Sequence, residues 1–255
     1  KEKKISYLFI FIRRQTLGSS YCNYFYQLMK NKIIDNLKTL FFALIIALII
    51  RSFFFQPFYI PSSSMEPNLL IGDRLFVSKY EYGFSKHSFP FSPSFTEKRF
   101  LYKKPNRGDV IVFKTPADNR TDYIKRLIGL PGDTIQIIDG DLYINNKKII
   151  RKRLNVISEI NCGNEIIKVN AFVEKLPNGR KYTAVYREDG TMKNTDLYKV
   201  PNEHYFFMGD NRDCSRDSRF LSSVGYVSYI NLVGEAKIIF LSNNTKKSSI
   251  LKFWN

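Results

Sequence analysis

The clearest pattern along the chain is an uncharged apolar run followed by a body of short alternating segments. Residues 39–50 read TLFFALIIALII, and beyond Arg51 the apolar residues continue to Ile60, which makes 22 residues in all. This length is enough to cross a hydrocarbon core of about 30 Å. We therefore expect a transmembrane anchor at residues 39–58, with the Arg51 guanidinium reaching the interface.

A buried helix and a cleavable signal peptide are the alternatives for this run. The bulky residues Phe53, Phe54 and Phe55 follow it, where a cleavage site needs small residues, and this favours an uncleaved anchor. The flanking charges then predict the orientation. Lysines precede the run, with a single aspartate among them, so the amino end is expected inside and the body outside. These residues are Lys30, Lys32, Asp35 and Lys38.

The first 38 residues form a predicted amino-terminal cytoplasmic segment. Residues before Met29 show neither helical nor strand periodicity, and the apolar patch at residues 7–12 is too short to span a bilayer. We expect translation to begin at Met29, which would leave a short basic leader before the anchor. A second membrane segment in this region is the alternative.

Beyond Ile60 the pattern changes to short alternating runs between turn residues, which predict β-strands. Asp139-Gly140-Asp141 predicts a hairpin turn, and Pro131-Gly132 predicts a tight turn. No stretch of the body sustains a 3.6-residue period, so the fold class is mainly β. The predicted strands are residues 73–77, 109–113, 123–128, 134–138, 142–144 and 235–240.

Two irregular stretches interrupt these strands. Gly83–Pro105 is rich in Ser, Pro and Phe and reads as a surface loop whose aromatic residues either dip into lipid headgroups or pack locally. Its aromatic residues are Phe84, Phe89, Phe91 and Phe95. Residues 145–200 are polar and irregular, and we expect a smaller inserted subdomain there. The β core would then comprise residues 59–144 and 201–245, followed by a tail at 246–255.

The charge of the chain is strongly positive. Lysine and arginine number 40 against 23 acidic residues, which gives a net charge of +17. Such an excess fits either nucleic acid or an anionic membrane surface. Because the basic residues are scattered and form no arm or stripe, membrane lipid is the expected partner and nucleic acid is not.

The cysteines and histidines limit the metal and redox chemistry. Cys22, Cys162 and Cys214 have no metal-ligand spacing, and an odd number argues against a disulfide framework. A single Cys162–Cys214 bridge is the alternative if both residues face an oxidising compartment. With only His87 and His204 present, no metal or other cofactor is expected.

A serine loop and a later lysine carry the candidate chemistry. Ser62-Ser63-Ser64 lies between prolines just past the apolar run, and Lys125 follows 61 residues after Ser64 on a predicted strand. A desolvated lysine amine can take the proton of a serine hydroxyl without a histidine. The alternatives are a flexible serine linker, an ordinary surface lysine, and a Ser-His-Asp triad that uses His87 or His204.

The strand pattern supports burial of this lysine. On a strand, Tyr123, Lys125 and Leu127 share one face, while Arg126 points to the other. Phe113 and Phe207 are further candidates to exclude water from the amine, whose pKa must fall by several units for it to accept a proton.

Four segments in order resemble the bacterial type I signal peptidases, which are Ser/Lys proteases. The resemblance covers residues 51–240 and implies a signal-peptidase-like β core preceded by one transmembrane helix. The segments are Pro61–Asp73, with PSSSMEPNLLIGD; Arg107–Phe113, with RGDVIVF; Asp122–Asp133, with DYIKRLIGLPGD; and Gly209–Arg219, with GDNRDCSRDSR.

The resemblance implies a role for each matching residue. Ser64 matches the nucleophile and Lys125 the general base. Ser62 matches an oxyanion-hole hydroxyl, and Ser215 matches a serine that orients the lysine amine. The charged residues that would support the site are Arg126, Asp210, Asp217 and Arg219. The acids Asp210, Asp213 and Asp217 are an alternative set of metal ligands, but the interleaved Arg212, Arg216 and Arg219 favour internal ion pairs.

Two positions depart from the family pattern. Asn68 stands where the family usually has threonine, and Cys214 stands where asparagine is common. Neither change removes a catalytic atom, although Cys214 leaves the geometry of its loop open.

The function implied is that of a membrane-anchored serine endopeptidase. Its partners would be the signal peptides of preproteins and membrane lipid. It would lie in the bacterial cytoplasmic membrane as a single-pass protein, with its catalytic domain on the extracytoplasmic face. A related Ser/Lys processing peptidase of the conjugation type and a non-enzymatic, membrane-tethered binding protein are the alternatives.

Overall fold

The computed structural model describes residues 2–89, 92–93, 98–163, 165–190, 192–242 and 252–253. Its first element, α1, is a 52-residue helix, Glu2–Phe53. Within it, Tyr26–Phe53 is 28 residues long and apolar enough to cross a membrane, and no other helix in the described part of the chain has this property. The chain divides between Ile50 and Arg51 into a helical unit and a unit that contains the sheets.

Both ends of this helix differ from the prediction. The residues before Met29 are helical, although their sequence has no amphipathic period. An amphipathic stripe is expected only where one face of a helix packs on a core, so its absence does not argue against a helix. At the other end the helix stops at Phe53 and Phe55–Tyr59 forms a strand, so the end of the predicted 39–58 anchor belongs to a sheet.

In the described residues, fifteen strands form three sheets, and the strands that pair within each sheet are antiparallel. The strands are β1 Phe55–Tyr59, β2 Arg74–Ser78, β3 Val110–Lys114, β4 Asp122–Gly129, β5 Thr134–Ile138, β6 Asp141–Ile144, β7 Lys147–Lys148, β8 Ile150–Cys162, β9 Glu165–Lys175, β10 Lys181–Arg187, β11 Tyr198–Lys199, β12 His204–Met208, β13 Val227–Ser228, β14 Leu232–Leu241 and β15 Lys252–Phe253. In the same part of the chain, short 3-10 helices lie between strands at Ser63–Met65, Tyr80–Tyr82, Lys86–Ser88 and Tyr229–Asn231.

The largest sheet has eight strands in the order β1-β2-β14-β3-β4-β12-β13, with β15 beside β14. The strand β1 is at one edge of this order, and an edge tolerates Pro57 because proline has no N–H to donate to a neighbour. The strand β4, which carries Lys125, lies between β3 and β12. The mainly β fold class is confirmed.

The six strands predicted from alternation are all present as β2, β3, β4, β5, β6 and β14, with ends shifted by at most three residues. The predicted hairpin turn joins β5 to β6, and Asp139 and Gly140 there have φ of 49° and 76°. Positive φ at both central positions is what a two-residue hairpin turn requires. In this part of the chain, the alternation of apolar and polar residues and the residues of the turn both predict the observed structure.

The stretch predicted as irregular holds a sheet of its own. Strands β8, β9 and β10 pair in the order β10-β9-β8, and β8 and β9 are 13 and 11 residues long. Buried positions alternate in β9 from Ile167 to Ala171, but the apolar Ile166 is exposed and the buried position 174 holds a glutamate. The hydrophobic pattern of the sequence therefore marks only part of this strand. Strands β7 and β11 also fall within residues 145–200, but they pair with β6 and β5 in a four-stranded sheet.

The two faces of β4 pack against different parts of the core. Tyr123 and Leu127 belong to a cluster that contains Phe113 and Phe207. Ile124, on the opposite face, packs against a cluster that contains Met65, Leu69 and the apolar residues Val110 and Val112 of β3. This arrangement brings the serine segment and the lysine strand to the same core.

Two other predicted segments lie partly outside the described residues. Phe91 and Phe95 of the aromatic loop are among the residues that are not described, whereas Phe84 and Phe89 each stack edge-on against Phe53, at 5.3 and 5.5 Å. Of the tail at 246–255, Lys252–Phe253 is described, as β15.

Candidate active site

Ser64 lies in a packed turn. Ser63–Met65 forms one turn of 3-10 helix, and the N–H of Glu66 donates to Ser63 O at 3.0 Å. Met65 and Leu69 are fully buried and hold the segment against the core. Ser64 itself is only 6% exposed. The segment is therefore a defined structural element, and a flexible serine linker is excluded.

The strand β4 brings Lys125 to this turn. Lys125 is paired with Ile111 of β3, and its side chain is 3% exposed. The amine Nζ donates to Ser64 Oγ at 2.6 Å and to the carbonyl oxygen of Ile124 at 3.0 Å. Two residues 61 positions apart in the sequence are thus in direct hydrogen-bond contact, at the distance expected of a nucleophile and its base.

The four residues predicted to exclude water from Lys125 share one apolar cluster. Phe113 stacks on Phe207 at 4.5 Å between ring centroids and on Tyr123 at 6.2 Å. The Tyr123 ring centre lies 5.3 Å from Lys125 Nζ, and Leu127 is fully buried two positions along the strand. Together they form an apolar wall along the lysine side of β4.

This burial changes the acidity of Lys125. Removal from water lowers the pKa of Lys125 from its usual 10.5 to about 8, because a low-dielectric environment disfavours the charged amine. The carboxylates of Asp217 and Asp210 raise the pKa of Lys125, and the Arg219 guanidinium lowers it further. A lysine with a pKa near 8 is neutral in a substantial fraction of molecules at mildly alkaline pH and can then accept a proton.

Ser62 lies at the exposed side of the pair. Its Oγ is 3.3 Å from Ser64 Oγ, and the residue is exposed to solvent. Ser62 also forms the N-cap of the 3-10 turn, with an extended backbone at φ −133°. Its hydroxyl is therefore next to Ser64 Oγ and accessible from solution.

Ser215 is close to the pair, but it does not bind the amine. Its Oγ is buried and makes no hydrogen bond to Lys125, whose Nζ is directed to Ser64 and Ile124. The side chain lies instead against Gly209, where an added Cβ would meet Ser215 Oγ at 2.2 Å and Ser64 O at 2.5 Å. Only glycine fits at position 209, because any side chain would separate the Ser64 turn from the Ser215 loop.

Arg126 and Asp210 form a buried ion pair on the opposite face of β4. Arg126 Nε and Nη2 donate to the two carboxylate oxygens of Asp210 at 2.7 and 2.6 Å, and Nη1 donates to Gly108 O at 2.8 Å. Asn68 Nδ2 donates to Asp210 Oδ2 and to Thr183 O, both at 2.7 Å. The asparagine that departs from the family pattern thus ties the serine segment to this pair.

A second ion pair lies within the loop that carries Ser215. Arg219 Nε and Nη2 donate to the two oxygens of Asp217, each at 2.8 Å. Asp217 Oδ2 also accepts from the N–H of Gly209 at 2.9 Å. Although its burial acts in the opposite direction, the Arg219 guanidinium keeps the pKa of Asp217 below its usual range.

The structure adds a third ion pair that the sequence did not indicate. Arg212 Nη2 donates to Glu174 Oε2 at 2.7 Å, and both side chains are almost completely buried. The hydroxyls of Tyr182 and Tyr186 donate to the two oxygens of Glu174 at 2.6 and 2.5 Å. Arg212 lies inside a recognised motif, but no local feature marks Glu174 of β9 as its partner.

Backbone hydrogen bonds and a disulfide join the same loop to the Ser64 turn and to the sheet of β8, β9 and β10. The N–H of Val185 donates to Asp210 O at 2.9 Å, and the N–H of Asn211 donates to Ser64 O at 3.1 Å. A disulfide joins Cys162, at the end of β8, to Cys214, with the Cα atoms 5.4 Å apart. The bridge that was the alternative in the sequence is present, and it holds the residue next to Ser215.

The remaining chemistries do not fit these contacts. His87 Nδ1 pairs with Ser92 Oγ at 3.0 Å and His204 Nδ1 with Asn202 O at 2.8 Å, so neither bond involves Ser64. In the described residues no group of three His, Cys, Asp or Glu side chains could hold a metal ion. The carboxylates of Asp210 and Asp217 instead bind arginines.

The family model described as signal peptidase, peptidase S26, matches residues 33–241. A signal peptidase I from Rickettsia felis is 44% identical over 214 residues, which cover 79% of this chain and 77% of that protein. A signal peptidase I from Rickettsia canadensis is 43% identical over 217 residues, which cover 80% and 78%.

Among solved structures, a signal peptidase I from Enterococcus faecalis matches 52% of this chain and 97% of its own, with 30% identity and a TM-score of 0.31. The extent of the family match and the identity to the two Rickettsia proteins establish the family. The chain belongs to the signal peptidase family of serine peptidases, peptidase S26.

Proposed function

We propose that this chain is a membrane-anchored Ser/Lys endopeptidase that removes amino-terminal signal peptides from exported preproteins. The proposal depends above all on one contact, the 2.6 Å hydrogen bond between Lys125 Nζ and Ser64 Oγ at a buried site. The names of the Rickettsia relatives support the substrate class.

The first step is attack by the serine. Neutral Lys125 takes the proton from Ser64 Oγ as that oxygen bonds to the scissile carbonyl carbon. The resulting oxyanion is held by the Ser62 hydroxyl, which lies 3.3 Å from Ser64 Oγ, and by the backbone N–H of Ser64. Lys125 then protonates the leaving amine, and the peptide bond breaks to give an acyl-enzyme.

The second step releases the acyl group. Lys125, again neutral, takes a proton from water, and the water oxygen attacks the acyl carbon. The ester bond to Ser64 Oγ breaks, and Ser64 recovers its proton from Lys125. The ion pairs of Asp210 and Asp217 support the surrounding loops and do not touch the substrate.

An incompletely paired section of β4 offers a binding position for an extended substrate. The strand β3 pairs with residues 122–126 of β4, whereas β12 pairs only with Arg126, Leu127 and Gly129 on the other side. Among the described strands none pairs with residues 122–125 on that side. An extended peptide that adds there as a strand would place its backbone beside Lys125 and Ser64. The resemblance further implies pockets that accept small residues at the cleavage site.

Anchoring follows from the apolar helix. The apolar end of the helix Tyr26–Phe53, from Thr39 onward, would lie in the cytoplasmic membrane, and Lys30, Lys32 and Lys38, which precede it, would keep the amino end inside. The sheets would then lie on the extracytoplasmic face. Since the substrate is itself held in the bilayer, both molecules search in two dimensions, and their effective concentration rises.

A cleavage assay tests the proposal. The full chain, purified in detergent, is incubated with a preprotein, beside Ser64→Ala and Lys125→Ala. Lys181→Ala is the matched control, because Lys181 is an exposed lysine of β10. We expect both site variants to lose at least about 10⁴-fold in kcat/KM. The control is expected to cleave normally.

Two outcomes would refute the mechanism. Cleavage by either site variant at the rate of the unmodified chain would show that the contacting pair is not the catalytic pair. Normal folding of the unmodified chain without any cleavage of preproteins that carry different signal peptides would argue for a binding protein instead.

A further inference from the structure

A basic cavity lies away from the Ser64–Lys125 pair. It has a volume of about 600 Å³ and is lined by Arg51 in the last turn of α1, by residues of β1, by the turn at 86–88 and by the loop between β3 and β4. Its size is within the range of about 300–1,000 Å³ that is common for small-molecule sites. Its cationic residues are Arg51, Lys79, Lys86, Lys114 and Arg120.

Among the described residues, most of these cations have no carboxylate partner. Lys114 Nζ forms an ion pair with Asp122 Oδ1 at 2.8 Å. Asp118, the other acid of the lining, accepts hydrogen bonds from the backbone N–H groups of Arg120 and Thr121 in its own loop. In the described part of the chain, no carboxylate lies within ion-pair distance of the other four cations.

Two buried groups of the lining are incompletely satisfied. Lys79 is 2% exposed, and the hydrogen bond of its Nζ is to a neutral acceptor, Ser88 O, at 2.6 Å. His87 is 5% exposed and, among the described residues, its Nε2 has no hydrogen-bond partner. A buried cation without an anion is costly, and so is a buried polar nitrogen without a partner. Both costs would fall if an anion with hydrogen-bonding groups occupied the cavity.

Apolar surface adjoins the cations at the end of the predicted anchor. Phe58 and Phe89 line the cavity, and Phe89 contacts Phe53 at 5.5 Å between ring centroids. Arg51 directly follows Ile50, the last residue of the uncharged run. Aromatic rings beside basic residues at the end of a membrane helix are typical of the headgroup region.

We propose that this cavity binds the phosphate of an anionic phospholipid headgroup, an inference that depends on the membrane anchoring in the proposed function. The phosphate would pair with Lys79, Lys86 and Arg120, while Phe58 and Phe89 would contact the glycerol and the upper part of the acyl chains. Inorganic phosphate shares the charge but leaves the aromatic surface uncovered. The headgroup is therefore the better fit.

Ligand titrations test this inference on the full chain in detergent. Dioctanoyl phosphatidylglycerol, dioctanoyl phosphatidylcholine and inorganic phosphate are added separately, and binding is measured by native mass spectrometry and by the shift in melting temperature. We expect saturable binding of one phosphatidylglycerol, with at least about tenfold weaker binding of the other two ligands. Equal binding of the two lipids would overturn the inference, and so would equally tight binding of inorganic phosphate.

A pair of double variants locates the site. Lys86→Gln with Arg120→Gln removes two cations of the lining, and Lys168→Gln with Lys181→Gln removes two exposed lysines of β9 and β10. Each cation near a membrane surface contributes about fivefold in affinity, so the first variant should bind phosphatidylglycerol about twentyfold more weakly. The second should bind normally. Equal affinity of the two variants would place the lipid elsewhere.

The cleavage assay separates this inference from the proposed function. The Ser64→Ala variant should lose cleavage and keep normal phosphatidylglycerol binding. If the unmodified chain cleaves preproteins but shows no preference for phosphatidylglycerol, the lipid site is refuted while the peptidase stands. If the unmodified chain prefers phosphatidylglycerol but cleaves no preprotein, the lipid site stands and the proposed peptidase function is refuted.

Discussion

Lys125 and Arg126 are adjacent buried cations on β4, and their surroundings are opposite in kind. Lys125 Nζ is bonded to a hydroxyl and a carbonyl, and burial lowers the pKa of Lys125 to about 8. Arg126 binds both oxygens of Asp210, and although burial acts against its charge, this carboxylate raises the pKa of Arg126. The alternation of a strand places the two side chains on different faces.

The difference shows how one strand serves two purposes. A cation without a carboxylate in contact loses its proton more readily, which suits a base. A cation held by two hydrogen bonds to a carboxylate keeps its charge and joins β4 to the loop of Asp210. The face of β4 on which a cation lies therefore determines its role. Substitutions at Lys125 should mainly change cleavage activity, and substitutions at Arg126 should mainly change stability.

The largest effect is expected from Lys125→Arg. A guanidinium keeps its proton at any working pH, so it cannot act as a base even where it retains the positive charge. We expect kcat/KM for preprotein cleavage to fall by about 10⁴-fold or more. Lys181→Arg on exposed β10 is the control. Activity within tenfold of the unmodified chain would show that the lysine face carries no proton-transfer role.

On the other face, Arg126→Met should act on stability. It would leave Asp210 buried with Asn68 as its remaining side-chain donor. We expect the free energy of unfolding to fall by about 3–5 kcal/mol. Urea denaturation of the full chain in detergent measures it. Combining Arg126→Met with Asp210→Asn should recover part of the loss, and a single-variant loss below about 1 kcal/mol would contradict the importance of the pair.

The pH dependence of cleavage reports directly on the protonation of Lys125. Because the pKa of Lys125 is lowered to about 8, the neutral base is scarce below this pH and predominates above it. We expect kcat/KM to rise about fiftyfold from pH 6 to pH 8 and to level off above pH 9, since activity follows the neutral fraction. A constant rate across this range would contradict the assignment of Lys125 as the base.

The smallest effect is expected from substitutions of Asn68, which links the serine segment to the ion pair of Arg126 and Asp210. Asn68→Ala removes two hydrogen bonds, one to Asp210 and one to Thr183 O. We expect the free energy of unfolding to fall by about 1–2 kcal/mol. Asn68→Thr, which introduces the usual family residue, should lose about half as much because a hydroxyl has a single donor. Identical unfolding curves for all three proteins would show that this link contributes nothing.

Much of the fold was predictable because its signals are local. The strands β2, β3, β4, β5, β6 and β14 follow from alternation, and the turn before β6 from an Asp-Gly pair with positive φ. The long hairpin of β8 and β9 was not predictable in this way. In β9 the buried positions alternate from Ile167 to Ala171, but the apolar Ile166 is exposed and Glu174 is buried, so residue type does not follow burial along the whole strand.

Some features of the candidate site were likewise predictable from the sequence, and others were not. Motif resemblance and strand alternation indicated Ser64, Lys125 and the apolar residues around the amine, and the structure places these residues together. The partner of Arg212 could not be found from the sequence, because Glu174 is 38 residues away on a strand without a motif. The absence of a hydrogen bond between Ser215 and Lys125 is likewise a matter of side-chain geometry.

The sequence by itself determined the apolar helix, the alternating strands and the choice of Ser64 and Lys125 as candidate site residues, because hydrophobic period and residue chemistry are properties of neighbours along the chain. Only the tertiary structure decided that Lys125 is buried without a carboxylate in contact while Arg126 forms an ion pair with Asp210. It also decided that Cys162 and Cys214 form a disulfide and that a basic cavity adjoins the end of the helix. These properties depend on the distance and dielectric between distant segments, which exist only after the sheets have formed.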